Sequence, residues 1–138
     1  MDPASLDDVI ASMYASLCFE EGQQPDWPAF MDLFAADARL VRVNDDGVFA
    51  FDPRTFRDDL ERMIASGTLR SFWEGEVSRE TDVFGDVAHV LSFYEARSSR
   101  DGALLGPAVK SIQLFRQNGR WSISAMLWRR EGRLVKLR

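Results

Sequence analysis

Asn118-Gly119 sits between two runs of alternating side chains, residues 107–117 and 120–130, and this arrangement constrains the fold more than any other feature. Both central residues of a type I′ turn take positive φ, which Asn and Gly tolerate, and the twist of that turn matches the strands it joins. Phe84-Gly85-Asp86 and Arg100-Asp101-Gly102 mark further turns. Together with runs over 69–81 and 87–98 they predict four antiparallel strands arranged as two hairpins. Alternation then gives each strand two faces. Val87, His89, Leu91, Phe93 and Glu95 share one side, against Ala88, Val90, Ser92 and Tyr94 on the other. Val109, Ser111, Gln113 and Phe115 oppose Lys110, Ile112, Leu114 and Arg116, while Ser124, Met126 and Trp128 oppose Trp121, Ile123, Ala125 and Leu127. Neither side is cleanly polar, so both faces need covering. The chain's helices supply one cover, and a second copy on the outer sheet face supplies the other, which predicts a homodimer.

Upstream, Ser5-Leu6-Asp7-Asp8 reads as an N-cap with acids in the first turn, where they offset the helix dipole. Leu6, Val9, Ile10, Met13 and Leu17 follow at helical spacing and predict an amphipathic helix to about Phe19. Asp26-Trp27-Pro28 opens a second helix with Phe30, Leu33 and Phe34 as its apolar stripe. Residues 38–43 read as a short strand and Asn44-Asp45-Asp46-Gly47 as a turn. Asp52-Pro53 caps a third helix in which Phe56, Leu60, Met63 and Ile64 face one way, and Gly67 ends it. The predicted order is α-α-β-α-β-β-β-β over one domain, residues 1–138. That is an α+β architecture: three N-terminal helices on the concave side of a strongly curved antiparallel sheet.

The 138 residues suffice for one well-buried core, and no apolar run is long enough to span a membrane. No secretory signal is visible at the N-terminus, and Cys18 is the sole cysteine, so cytoplasmic residence is the expectation. Net charge is −5, and residues 1–65 carry 14 acids against 5 arginines. Phosphate backbones repel such a surface, which argues against nucleic-acid binding. Arg129, Arg130, Arg133, Lys136 and Arg138 reverse the charge at the end, as a solvated strand end and tail would.

Three segments carry a family resemblance. Phe30-Met31-Asp32-Leu33-Phe34-Ala35-Ala36-Asp37-Ala38, Gly85-Asp86-Val87-Ala88 and Asn118-Gly119-Arg120-Trp121-Ser122-Ile123 resemble, respectively, the helix-to-strand junction, a turn and a hairpin of the NTF2-like superfamily. This group is also called SnoaL-like or ketosteroid-isomerase-like, with a cone-shaped, cystatin-like fold. The resemblance covers nearly the whole chain and implies a helix-roofed pocket. It speaks to fold rather than reaction, because the superfamily holds isomerases, polyketide cyclases, dehydratases and non-catalytic dioxygenase subunits. In the isomerases a helix-one Tyr and a protonated Asp hold the oxyanion while another Asp moves the proton. Tyr14 matches that Tyr, whereas the resemblance puts Arg42 at the base and Gln113 at the oxyanion-hole acid. Arginine stays protonated and cannot abstract a proton, so the usual isomerase mechanism is not expected. Tyr14 with Gln113 is the expected carbonyl-binding pair.

Further candidates come from the strand faces. His89, the only histidine, shares a face with Glu95, and either could serve as acid or base; equally, His89 could be satisfied by a backbone carbonyl and Glu95 could form a rim ion pair with Arg97. Phe34, Arg42, Leu60, Met63, Trp73, Leu91, Phe93, Phe115, Met126 and Trp128 are the expected pocket lining, an apolar wall for a small hydrophobic molecule. Glu74, Glu76 and Glu80 are expected to face solvent. One His and one Cys do not make a zinc site, Asn44–Gly47 lacks calcium-loop spacing, and no cofactor motif is present, so neither metal nor cofactor is expected. Two functions fit: a small-molecule-binding protein whose pocket supports isomerase-, cyclase- or dehydratase-type proton transfer, or a non-catalytic assembly module like the dioxygenase small subunit.

Overall fold

The computed structural model describes residues 5–130, so Arg133, Lys136 and Arg138 of the basic tail lie outside the described residues. Helix α1 spans Leu6–Leu17, and the Ser5 side chain accepts a hydrogen bond from the Asp8 amide at 3.1 Å. Its Val9, Ile10, Met13, Tyr14 and Leu17 are buried. The helix stops short of Phe19 because Phe19 turns away to form a bridge with Phe72, each amide reaching the other's carbonyl at 3.0 Å. Helix α2, Trp27–Met31, starts where Asp26 caps the Ala29 amide. It ends earlier than expected, and Phe34 opens strand β1 (Phe34–Asn44) instead of closing a helical stripe.

Strand β2, Gly47–Phe51, is an addition to the predicted order. It pairs antiparallel with β1 across the Asn44–Gly47 turn, where Asn44 Oδ1 accepts from the Asp46 amide at 2.8 Å. Helix α3, Pro53–Ala65, begins with a capping box in which the Asp52 carboxylate accepts from the Thr55 amide at 2.8 Å and the Thr55 hydroxyl accepts from the Asp52 amide at 2.9 Å. Strands β3 (Trp73–Phe84), β4 (Val87–Arg97), β5 (Leu104–Gln117) and β6 (Arg120–Arg130) follow. Asn118 and Gly119 have φ of 55° and 74°, the positive pair that a type I′ hairpin needs.

The six strands run in the order β2-β1-β6-β5-β4-β3. Every adjacent pair is antiparallel except β1 with β6, which is parallel, so the sheet is mixed rather than purely antiparallel as the sequence suggested. The connection from β1 out through β2, α3 and the β3–β5 meander returns the last strand alongside the first. The α+β class holds.

The three helices cover one face, where Val9, Ile10, Met13, Phe30 and Phe56 pack with Leu40, Val90, Ile112, Ile123 and Met126 in one core. On β4 this inner face is Ala88, Val90, Ser92, Tyr94 and Ala96; on β5 it is Ala108, Lys110, Ile112 and Leu114, all buried. The outer face carries Leu91, Phe93, Val109 and Phe115, half-buried, with Val87 62% and Leu127 45% exposed.

Two bulges set which residues look inward. In β6, Ile123 pairs with Leu114 and Ala125 with Gln113, leaving Ser124 as the extra residue. Trp121 and Ile123 therefore face inward before the bulge, and Met126 and Trp128 after it. In β3, Val77 is the extra residue between Glu76 and Ser78, so Glu74 and Glu76 lie opposite Ala96 and Tyr94 of the inner face. Among the described residues no helix is long and apolar enough to cross a membrane.

Candidate functional site

Between the helices and the inner sheet face lies a cavity of about 200 Å³. Its walls are Leu17 of α1, Phe56, Leu60 and Met63 of α3, Leu69 and Phe72 of the connection to β3, and Met126 and Trp128 of β6. The polar lining consists of Arg42, Asn44, Glu74, Tyr94, Lys110 and Arg130. An apolar cavity of this size accepts a single substituted ring or a short branched chain.

The floor is an ion pair. Lys110 Nζ lies 2.5 Å from Glu74 Oε1, with side chains 3% and 4% exposed. Strand alternation places them there: Lys110 shares a face with Ile112 and Leu114, and Glu74 comes inward on the β3 segment before the Val77 bulge. The ammonium also sits 4.4 Å from the centre of the Tyr14 ring and 4.7 Å from that of Tyr94, and 3.2 Å from Met13 Sδ. These contacts are the interactions by which a buried cation is held: a carboxylate, two ring faces and a soft sulfur. Burial lowers the Lys110 pKa against the opposing pull of Glu74. Burial raises that of Tyr94, and the Glu74 charge adds to it. Among the described residues the Tyr94 hydroxyl has no hydrogen-bond partner, although it belongs to the cavity wall.

Arg42 stands nearer the mouth. Its guanidinium lies over the rings of Phe49 and Phe51 at 5.0 and 5.4 Å and 3.6 Å from Asp59, leaving the side chain 29% exposed. Strand β2, which the sequence reading lacked, therefore supplies the aromatic support that orients this arginine.

The residues singled out from the sequence divide between the faces. Arg42, Leu60, Met63, Met126 and Trp128 come together on the cavity. Phe34 is buried against Phe30, with ring centres 4.7 Å apart, and does not line the cavity. Trp73, Leu91, Phe93 and Phe115 belong to the outer face, paired with or beside Arg97, Ser111, Val109 and Val87. His89 and Gln113 face each other across β4 and β5 on that same outer side, where they border a shallow depression of about 410 Å³ with Phe84, Val87 and Phe115. His89 Nε2 lies 3.0 Å from Ser111 Oγ. Glu95 pairs with Arg97 at 3.3 Å on the outer face.

Tyr14 is inward but does not meet Gln113, because the two stand on opposite sides of the sheet. Its hydroxyl donates to Ser92 Oγ at 2.6 Å, and Ser92 in turn donates to Glu76 Oε2 at 2.5 Å. Arg79 holds the other Glu76 oxygen at 2.7 Å and reaches Asp7 of α1 at the same distance. Burial pushes the Tyr14 hydroxyl well above its ordinary pKa, with the Ser92 hydrogen bond opposing. Tyr14 thus ties α1 to the sheet, with its ring rather than its hydroxyl turned to Lys110.

The Glu74–Lys110 pair is what the sequence reading passed over. Glu74, expected in solvent, is 5% exposed. A usable signal was present: the chain has 15 arginines but only two lysines, Lys110 and Lys136, and one of them sits in mid-strand between apolar residues. Among the described residues no cluster of three His, Cys, Asp or Glu could hold a metal ion.

No family model matches the chain, and no curated protein matches it significantly. Solved structures do. A cystatin-like protein of unknown function from Nostoc punctiforme superposes with TM-score 0.70 at 18% identity, over 95% of this chain and 96% of that one. An NTF2-like protein of unknown function from Pseudomonas putida gives 0.69 at 14% identity, over 92% and 84%. The hexachlorocyclohexane dehydrochlorinase LinA-type3 from Novosphingobium barchaimii gives 0.68 at 15% identity, over 93% and 85%. From its strand order, its helix-covered inner face and these superpositions, the chain has the NTF2-like, cystatin-like fold.

Proposed function

We propose that this protein binds a small, largely apolar organic anion, such as a carboxylic acid carrying one ring or a short branched chain. The observation that carries the reading is the cavity lining: an apolar wall combined with three cationic side chains, Arg42, Lys110 and Arg130, against the single carboxylate of Glu74. Apolar burial supplies affinity, and a few convergent polar groups fix orientation. Arg42 is suited to receive a carboxylate because its planar fork is already oriented by Phe49, Phe51 and Asp59. Tyr94 offers a hydroxyl with no partner of its own among the described residues.

The test is titration of the protein with benzoate, read by the fluorescence of Trp128, a cavity-wall residue, with Trp128→Phe as the spectroscopic control. Saturable quenching that Arg42→Met weakens and Leu60→Trp abolishes is the expected result. Equal quenching by benzyl alcohol in the unaltered protein would remove the anion from the reading, and absence of any saturable binding would remove the cavity.

A second role, self-association through the outer sheet face, is favoured by one observation: the apolar side chains of Val87, Leu91, Phe93, Phe115 and Leu127 lie on the side that the helices leave uncovered. A second copy laid on that face would bury them. Sedimentation velocity is expected to give a dimer, with Val87→Glu and Leu127→Glu together giving a monomer; a monomeric unaltered protein would reject this role.

A further inference from the structure

We infer that Lys110 is a carbonyl-condensing amine: the cavity takes a small aldehyde or ketone and joins it to Lys110 Nζ as a Schiff base, with Glu74 moving the protons. This deepens the small-molecule reading and rests on it for access to the site. A lysine becomes a nucleophile when it is desolvated in an apolar pocket and has a base within reach. Lys110 meets both conditions. It is 2% exposed, its neighbours are the Tyr14 and Tyr94 rings and Met13, and it lines the cavity together with Glu74 at 2.5 Å. Burial of its charge also lowers its pKa, in the direction that favours free amine. A cation needed only for folding could have been an apolar residue at no loss, since buried ion pairs rarely outperform well-packed hydrophobic replacements.

The bonding changes balance without any further reagent. Glu74 takes a proton from the Lys110 ammonium, and the freed lone pair attacks the carbonyl carbon. A C–N bond forms while the C=O π pair moves to oxygen, which Glu74 protonates to give the carbinolamine. The second nitrogen proton passes to Glu74 and then to the hydroxyl, which leaves as water as the nitrogen lone pair closes the C=N bond. The iminium keeps the single positive charge that the ammonium carried, and Glu74 ends as the carboxylate it was at the start. The charge environment at the floor is therefore the same before and after condensation. Tyr94, whose hydroxyl is unpartnered among the described residues, is placed on the wall of the same cavity.

The composition makes the test clean, because the whole chain offers only Lys110, Lys136 and the N-terminal amine for condensation. The protein is incubated with benzaldehyde and cyanoborohydride near neutral pH, which reduces any iminium to a stable benzylamine. Intact mass and peptide mapping then locate the adduct. The expected result is a benzyl group on Lys110 in preference to Lys136 and the N-terminus, slowed by added benzoate and lost in Lys110→Met. Peptide mapping of the unaltered chain keeps the test decisive should Lys110→Met fold poorly. Labelling confined to Lys136 or the N-terminus, in protein that still binds benzoate, overturns the condensation while leaving the cavity reading in place. Labelling of Lys110 without benzoate binding sustains the condensation and overturns the anion preference instead.

Discussion

Lys110 Nζ and Glu74 Oε1 stand 2.5 Å apart at the floor of the cavity, on strands β5 and β3, with β4 running between them. Each charge is compensated chiefly by the other, so the two side chains are thermodynamically one unit. Removing either alone strands a buried charge, at a cost of about 3–5 kcal/mol. Removing both together, as Lys110→Met with Glu74→Leu, leaves an apolar floor. Urea denaturation of the two single variants and the double is therefore expected to show strong non-additivity, with the double variant more stable than either single. Simple additivity would mean that the pair is not coupled.

The two tyrosines beside this pair have opposite relationships to stability and binding. Tyr14 donates to Ser92, which donates to Glu76, and that chain runs on through Arg79 to Asp7. Tyr14→Phe is expected to cost about 1 kcal/mol, the net worth of an ordinary hydrogen bond, and to leave benzoate affinity unchanged because the hydroxyl is turned away from the cavity. Tyr94→Phe removes a hydroxyl that has no partner among the described residues. It is expected to leave stability within about 0.5 kcal/mol while weakening benzoate. Denaturation midpoints and fluorescence titrations of both variants check this, and the reverse pattern would place the wrong tyrosine at the site.

Alkaline pH separates the same two residues from the rest of the molecule, since the chain contains only two tyrosines and both are buried. Burial raises both hydroxyls above their ordinary value near 10. Above that value the unfolded chain has released tyrosine protons that the folded chain retains, so the native state binds more protons and stability falls as pH rises. The stabilising contribution is whole below pH ~10 and declines towards the raised folded-state values. Lys110 works in the opposite sense: its lowered pKa means the unfolded chain holds the extra proton, so its contribution rises with pH until unfolded lysine itself deprotonates. Tyrosinate absorbance is expected to appear only with alkaline unfolding, in step with loss of near-UV circular dichroism. Tyrosinate in the folded protein would show that one ring is wet.

The turns and caps were legible in the sequence because each is a local event. Asn118-Gly119 and the Ser5 and Asp52 caps depend on neighbours a few residues away, and all stand where the residues put them. Facing was not legible, because it depends on one backbone residue. Continuous alternation from the Gln117–Arg120 turn would set Met126 opposite Ser111 and draw Ser111, Gln113 and Phe115 into the cavity with it. Ser124 is looped out instead, Met126 pairs with Ile112, and the inward set on β5 becomes Lys110, Ile112 and Leu114. Met126 and Trp128 line the cavity, but their parity does not carry across to Gln113, His89 and Phe93. Strand β2 escaped notice for a different reason: Val48 and Phe49 are exposed, so Gly47–Phe51 lacks the buried alternation by which strands are recognised.

That dependence on Ser124 gives a prediction in which backbone and side chain part company. The Ser124 side chain is exposed on the outer face, so Ser124→Ala is expected to change stability by no more than about 0.5 kcal/mol. Inserting one alanine between Ala125 and Met126 is another matter. The type I′ turn at Asn118-Gly119 pins the hairpin register and Ser124 is already the extra residue, so the inserted alanine takes the place opposite Ile112 and reverses the facing of Met126 and every residue after it. Met126, 1% exposed, would turn out to solvent, while Leu127 and Arg129 would turn towards the core. Exposing Met126 alone forfeits about 1.5–3 kcal/mol, and an inward Arg129 would be drawn from Asp45 into the apolar core. The insertion is expected to abolish cooperative unfolding and the benzoate response of Trp128, by circular dichroism and fluorescence. An insertion variant that unfolds cooperatively and still quenches with benzoate would show that the inner face of β6 is not set by the residue count beyond the bulge.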